Sequence, residues 1–328
     1  MTVVHSHGHD MPGSMVQNLT EAEQYQRSVR GCESQVFVRE RGTFAAKLTR
    51  IDLPHLWMQR AHLTLSTVVH SALSSQRSVI VFLADAGQAP MLNTGVEVSP
   101  GEIVCYSLGA EHHLRAPSGY HCCAMSLTPE DLAAYGRAFA GRTLEAPAAT
   151  RVLRPRPPQT SRLQNLHRAA SELAATAPDM LAHPEVSRAI EQELIRAMVA
   201  CLADPEAENA CRSNRLRKPV MLRLEQVLEE RPDEPLYVTD LCTGIGISER
   251  SLRQHCQEHL GMSPHRYLWL RRMNLVRRAL VHAKPAARTV TEIANDHGFG
   301  ELGRFAVAYR RLFGESPSTT LHRLASAT

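Results

Sequence analysis

No stretch of the 328 residues stays apolar for the 18 or so positions that a membrane-spanning helix needs. The opening string MTVVHSHGHDMPGS has no basic region followed by an apolar one, so a secretory leader is not expected. Eight cysteines, at 32, 105, 122, 123, 201, 211, 242 and 256, form no CxxC pair and follow no regular spacing. Such thiols suit a reducing compartment rather than a disulfide framework, and a cytoplasmic protein without membrane partners is expected. A GxSxG elbow and a Walker loop are missing, and no dinucleotide-binding fingerprint is expected to serve a site. What is present suits a folded protein. A hydrophobic fraction of 43% and a charged fraction of 21% exclude wholesale disorder and collagen-like repeats.

The length exceeds what one hydrophobic core usually holds, so at least two domains are expected. Charge separates them. Residues 211–328 hold 19 Lys/Arg against 12 Asp/Glu, while residues 1–210 hold 18 against 21. A basic C-terminal third beside a mildly acidic remainder suggests that one domain meets a polyanion and the other does not.

Along the chain, residues 1–30 are polar and aperiodic and read as a flexible tail. Residues 31–145 have β texture, with short Val-, Leu- and Thr-rich runs such as STVVHS and SVIVFLA broken by turn clusters such as SPGE and APSGY. Many short strands with frequent turns predict a sandwich or small barrel. Thr128 followed by Pro129 and Asp131 predicts a capped helix to about Ala140. Residues 146–210 read as a Pro-rich linker and two helices. One helix is marked by Leu163, Leu166, Ala170 and Leu173. The other carries Val186, Ile190, Leu194, Met198 and Leu202 at four-residue spacing. That second stripe either packs on its own domain or pairs two protomers, and the homodimer reading is the one carried forward. Residues 204–219 read as a second, polar linker.

The C-terminal third, 211–328, contains an internal repeat. A shift of 52 residues lays Asp240-Leu241-Cys242 over Glu292-Ile293-Ala294, and Gly246-Ile247 over Gly298-Phe299. With one inserted residue the shift becomes 53, and Leu252, Cys256 and Leu260 fall over Phe305, Tyr309 and Phe313. Gly261-Met262-Ser263-Pro264 then falls over Gly314-Glu315-Ser316-Pro317. Each copy reads as short helix, glycine turn, longer helix and stop, which is the helix-turn-helix layout. Ser263-Pro264 opens a further helix to about His282, and at 1.5 Å per residue it spans roughly 28 Å. That length holds the two units near one DNA turn apart, about 34 Å, so each second helix meets a successive major groove.

The strings DLCTGIGISERSLRQHCQEHLGMSPHRYLWLRRMNLVRRAL and VTEIANDHGFGELGRFAVAYRRLFGESP resemble the DNA-binding domain of AraC/XylS-type transcription regulators. The likeness covers about residues 216–324. It implies a seven-helix domain attached to an effector-binding or dimerising domain, and the β region more loosely resembles the cupin-like sensor of such proteins. The expected fold is therefore α+β: an N-terminal cupin-like β-barrel or sandwich and an all-α C-terminal domain. The expected DNA-reading residues are Glu249, Arg250, Arg253 and Gln254 on the first recognition helix, where Arg reads guanine and Gln reads adenine. On the second they are Leu302, Gly303, Arg304 and Val307. Val307 departs from the often polar residue of the family, with Ala306 and Ala308 beside it, so this helix is expected to read mainly by apolar contact and shape.

In the β domain, Trp57, Phe82 and Tyr106 are candidate lining for an effector cavity, with His70 or His112 as polar contacts. The rival reading is a metal-dependent or small-molecule-converting cupin enzyme that also carries a DNA-binding domain. Its ligands would come from His112 and His113 after Glu111, with His121 and His70. Neighbouring strand residues point to opposite faces, so His112 and His113 cannot both face inward. No catalytic residue, metal ligand set or cofactor is therefore expected. His5, His7, His9 and Asp10 would chelate only adventitiously, and Cys122-Cys123 reads as core packing in preference to a redox sensor. The expected function is sequence-specific DNA binding for transcription regulation, with double-stranded DNA, a small-molecule effector, a second copy of the chain and RNA polymerase as partners.

Overall fold

The computed structural model describes residues 13–209, 212–213, 219–231, 234–283 and 287–322. The β region forms two antiparallel sheets packed face to face, a sandwich rather than a closed barrel. The larger sheet runs β1 (Gly13–Leu19), β3 (Ala46–Asp52), β4 (Trp57–Leu63), β11 (Tyr120–Leu127), β6 (Ser78–Leu83), β9 (Ile103–Cys105), β12 (Arg151–Leu153) and β13 (Arg212–Ser213). The smaller runs β2 (Cys32–Val38), β5 (Thr67–Leu73), β10 (Glu111–Ala116), β7 (Met91–Asn93) and β8 (Val96–Val98). Register sets the faces: Leu48 pairs with Ala61 and Ala61 with Cys122, so these three side chains share the inner face.

Each sheet also has an outer face, and both are covered. Ile51, Met58, Ile80, Phe82 and Met125 of the larger sheet pack under the helices α3 (Pro157–Thr176), α4 (Pro178–Ala182) and α5 (Pro184–Leu202). Phe37 and Val68 of the smaller sheet join the core of the C-terminal domain. The helix α2 (Pro129–Ala140) begins as predicted, with the Thr128 hydroxyl accepting from the Asp131 amide, and ends at Gly141 in the left-handed conformation.

Three expectations need correction. Residues 13–30 are not a tail: β1 pairs with β3 along its length, and α1 (Ala22–Ser28) buries Ala22 and Tyr25. Their pairing is non-local, so no local periodicity announces it. Residues 1–12, including His5, His7, His9 and Asp10, lie outside the described residues. Next, the Pro-rich segment is no loose linker, because β12 hydrogen-bonds to β9 and α3 starts at Pro157. Lastly, the stripe assigned to dimer contact faces its own protomer. Leu194, Met198 and Leu202 are buried in the core beneath the helices, Ile190 packs against that core, and Val186 is half-buried. Four-residue spacing reports that one face is covered, not by what. Of the second linker, α6 spans Pro205–Asn209, and residues 210, 211 and 214–218 lie outside the described residues.

The C-terminal domain has seven helices among the described residues: α7 (Pro219–Glu229), α8 (Val238–Ile245), α9 (Glu249–Leu260), α10 (Pro264–His282), α11 (Val290–Asp296), α12 (Leu302–Phe313) and α13 (Pro317–His322). The repeat folds as its spacing predicts. Gly246 and Gly298 take φ of 80° and 77° in the two turns, a region that favours glycine. Leu252, Cys256, Phe305 and Tyr309 are buried on the inner faces of α9 and α12. The second helix starts three residues after Gly246 but four after Gly298, which accounts for the change of shift from 52 to 53.

One buried group predicts a pH response. His167 on α3 is fully buried edge-on against Phe82, and burial, reinforced by the Arg60 charge, lowers its pKa to about 3. Below pH about 6.5 the unfolded chain takes up this proton and the folded chain does not, until about pH 3. Stability should therefore fall as pH drops through that window, by at most about 1.4 kcal/mol per pH unit from this group. Thermal denaturation between pH 7 and 4 should show His167→Leu with a flatter decline than the native chain. An equally steep decline would assign the acid sensitivity to other groups.

Candidate nucleic-acid interface and ligand cavity

The first recognition helix, α9, is capped by the Ser248 hydroxyl, which accepts from the Ser251 amide. With Leu252 and Cys256 turned inward, helical spacing leaves Glu249, Arg250, Arg253 and Gln254 exposed at its N-terminal half. Arg253 pairs with Glu249 at 2.8 Å, and Gln254 donates to Glu258 at 2.9 Å. These solvent-exposed pairs contribute little and yield readily to a nucleic-acid partner. Arg250 has no intramolecular hydrogen bond or ion pair among the described residues and projects ready-made for a base edge or phosphate.

On α12, Gly303, Arg304 and Val307 are exposed, Val307 at 54%. Arg304 pairs with Glu301 at 2.9 Å, another exposed contact. Leu302, at the start of α12, is half-buried and packs in part against the helical core. The string Gly298-Phe299-Gly300-Glu301-Leu302-Gly303 spells G-x-G-x-x-G, but it joins α11 to α12 and follows no strand. It lacks the strand-to-helix context of a nucleotide loop.

The 19 residues of α10 hold the units apart, and its arginines divide by role. Arg271 is buried and donates to the carbonyls of Leu228, Arg231 and Glu234, closing the end of α7. Arg277 is buried in an ion cluster with Glu21 and Glu315. Neither is available to DNA. Arg272 lies over Tyr237 and Phe299, tying α10 to the start of α8 and to the α11–α12 turn.

Between the two sheets lies a cavity of about 110 Å³. Trp57, Tyr106 and His112 line it, as expected. The Tyr106 hydroxyl donates to Asn93 at 3.2 Å, and the Tyr106 and His112 rings stand 4.4 Å apart. Phe82 and His70 do not line it. Alternation sends Val79 and Val81 inward and Phe82 outward to His167, and likewise Val69 and Ser71 inward and His70 outward. The His113 ring lies tilted beside that of His70 on that outer face, 4.9 Å away, so the adjacent histidines do part company across the sheet. Cys122 lines the cavity with its thiol pushed up to about 11 by burial, and burial raises Cys123 further. Protonated, buried thiols are poor nucleophiles, which argues against a redox sensor here.

Sequence reasoning missed the cavity mouth. The guanidiniums of Arg30 and Arg77 lie on the Trp57 ring, 3.5 and 3.8 Å from its centroid. Asp52 pairs with Arg30 at 2.8 Å. Burial and the Arg30 charge lower the Arg77 pKa to about 10, while its guanidinium donates to the Ser126 hydroxyl and to the His55 and Ser126 carbonyls. Arg30 falls in the stretch that reads as tail, and Arg77 in a turn, so neither carries a signal. A second omission is on α9: His255, Glu258 and His259 bring potential metal-ligating atoms within 4.8 Å of one another. Two ligands of one zinc stand closer, near 3.3 Å for tetrahedral bonds of about 2.0 Å, so this donor set would need to contract to hold an ion.

Two helix-turn-helix units on one rigid connector, joined to a β-sandwich, define a double helix-turn-helix DNA-binding architecture. The helix-turn-helix domain family matches residues 241–323. The chain is 36% identical over 146 residues to the "Probable thc operon regulatory protein" of Rhodococcus erythropolis, a stretch covering 44% of each chain. It is 38% identical over 103 residues to the "XylDLEGF operon transcriptional activator 2" of Pseudomonas putida, covering 31% of this chain and 66% of that one. A solved structure of the AraC-like transcriptional activator CuxR aligns over 85% of this chain and 98% of its own, at 16% identity and a TM-score of 0.41. The C-terminal domain is thus a helix-turn-helix domain similar to those of AraC/XylS-type regulators. The alignments span less than two thirds of either curated relative. No helix among the described residues is long and apolar enough to cross a membrane.

The exposed, unpaired Arg250 gives a direct test. Arg250→Ala should relax base preference in one half of the site and cost roughly 1–3 kcal/mol there if the contact is bidentate to guanine. The measurement is duplex selection from a random pool by native and variant protein. Equal weakening on selected and random duplexes would make Arg250 a phosphate contact.

Proposed function

We propose that this chain is a sequence-selective, double-stranded-DNA-binding transcription regulator whose sandwich domain responds to a small organic effector. The observation that carries the reading is the pair of exposed recognition faces, Arg250/Arg253/Gln254 and Gly303/Arg304/Val307, set on one α10 connector. Their expected site is asymmetric, with two major-groove segments per protomer. Two copies on one operator, and RNA polymerase beside them, remain part of the proposal, with the contact between copies lying elsewhere than the α5 stripe.

The cavity supports a finer reading. Its volume of about 110 Å³ approaches that of a cavity of about 150 Å³ known to hold a benzene ring, so a single ring or short chain fits. The apolar interior and the Arg30–Trp57–Arg77 mouth together favour an amphipathic anion, with its apolar part between the sheets and its carboxylate at the arginines. An effector shifts DNA binding only by its preference for one arrangement of the domains. A tenfold change in operator affinity needs about 1.4 kcal/mol of coupling.

Calorimetry on the full chain with benzoate and hexanoate against benzyl alcohol and hexanol should show carboxylate preference, and Arg77→Gln should remove it. Equal binding of acids and alcohols would sink the anionic reading. No binding of any, with no effect on selected-duplex affinity, would leave the sandwich a docking module.

A further inference from the structure

The loop between β2 and β3 leaves the sandwich and runs beside the second recognition helix. Gly42 lies against Gly314 at the end of α12, where an added Cβ would stand 3.5 Å from the Gly42 carbonyl oxygen. Arg39, Glu40 and Arg41 form one wall of a groove of about 800 Å³. Arg266 of α10 and Arg304, Val307 and Arg311 of α12 line the rest of it. Residues of the sensor domain thus share a groove with the face of α12 that reads DNA.

Charge decides what the groove is for. It gathers five arginines and one carboxylate, and that carboxylate is turned away: Glu40 accepts from the Ser66 amide at 2.7 Å and the Ser118 hydroxyl at 2.6 Å, both in its own domain. Arg39 donates to Ser66 at 3.3 Å, and burial together with the charges of Arg115 and Arg266 lowers its pKa. Arg41 and Arg311 have no intramolecular ion pair among the described residues, and both are exposed. A loop that shielded α12 from DNA would offer the helix carboxylates in place of phosphates. This one ties its carboxylate to Ser66 and Ser118 and offers guanidiniums, whose mutual repulsion a shared polyanion relieves further than Glu40 near Arg39 and Glu301 beside Arg304 do.

We propose that the β2–β3 loop is a third DNA-contacting element. Arg41, with Arg39 behind it, binds backbone phosphates flanking the major-groove segment that α12 enters. The inference rests on the regulator reading above and adds a contact from the sensor domain itself. Such contacts position the protein without reading sequence, so they strengthen binding to every duplex alike.

The test uses the full chain, a fluorescein-labelled 30-base-pair random duplex and a duplex selected by the native protein, with anisotropy followed across a salt series. Arg41→Ala, an exposed loop change, should weaken both duplexes by the same several-fold factor. It should also reduce the log–log salt slope by about 1, while the selected motif stays the same. Arg41→Glu should weaken both further, and Arg304→Ala serves as the control on α12 itself. If the native chain shows no salt-dependent affinity for either duplex, the regulator reading fails and takes this inference with it. If the native chain binds and Arg304→Ala weakens it, but Arg41→Ala leaves affinity and slope unchanged, the loop is off the DNA. Tighter binding by Arg41→Ala would make the loop an obstruction. Either of these last results overturns the inference alone.

Discussion

Arg277 is the constraint on which the arrangement of the two domains turns. Its guanidinium sits buried on α10, donating to Glu21 at 2.8 and 3.1 Å and to Glu315 at 3.0 Å, with the Phe313 ring 4.8 Å away. Burial works against this charge, but Tyr309, Glu21 and Glu315 outweigh it and hold the pKa above its usual value. A buried cation whose partner is removed is strongly destabilising, because the remaining charge is left without water or counterion. One carboxylate comes from the sandwich domain, before α1, and the other from the loop before α13. The cluster is satisfied only when sandwich, connector and second helix-turn-helix unit are assembled together. Phe37 packs edge-on against Tyr267 at 5.9 Å along the same boundary and adds apolar area to the charged lock.

That boundary gives the cavity a short physical route to the DNA-binding domain. Strands β5 and β10 present Val69, Ser71, His112 and Leu114 to the cavity, while Val68 on the opposite face of β5 packs into the helical core. A single sheet therefore separates ligand from connector. Stacked sheets stand about 10 Å apart, so a ligand that spreads the sandwich pushes directly on the layer that supports α9 and α10. Contiguity supplies the route, and the ligand's preference between arrangements sets the size of the effect.

How much of this is legible in the sequence depends on whether the determining contacts are local. The two turns, the Ser248 cap and the Ser263-Pro264 start of α10 are written in a few adjacent residues, and each stands where its spacing predicts. Strand alternation by itself parts His112 from His113. The same rule excludes Phe82 and His70 from the cavity only once the strand phases are known, and phase is set by pairing across the sheet. Residues 13–30 read as structureless because β1 depends on β3, some thirty residues on. The α5 stripe is ambiguous for another reason: amphipathicity reports that a face is covered and is silent on the covering partner. The nearness of Arg41 to Arg304 joins opposite ends of the chain, and no local pattern could carry it.

The two recognition helices place different demands on the rest of the molecule. The first offers Arg250, Arg253 and Gln254, groups that can hydrogen-bond base edges directly. The second offers the exposed Val307 with half-buried Ala306 and Ala308, methyl groups suited to thymine methyls and to groove shape. Apolar contact discriminates weakly unless the helix is held at one depth and angle in the groove. Phosphate contacts supply that registration. The arginines around α12, from α10, from α12 itself and from the β2–β3 loop, are placed where a helix poor in base-reading hydrogen bonds most needs to be clamped. The chemistry lacking on the reading face is thus made up on the walls beside it.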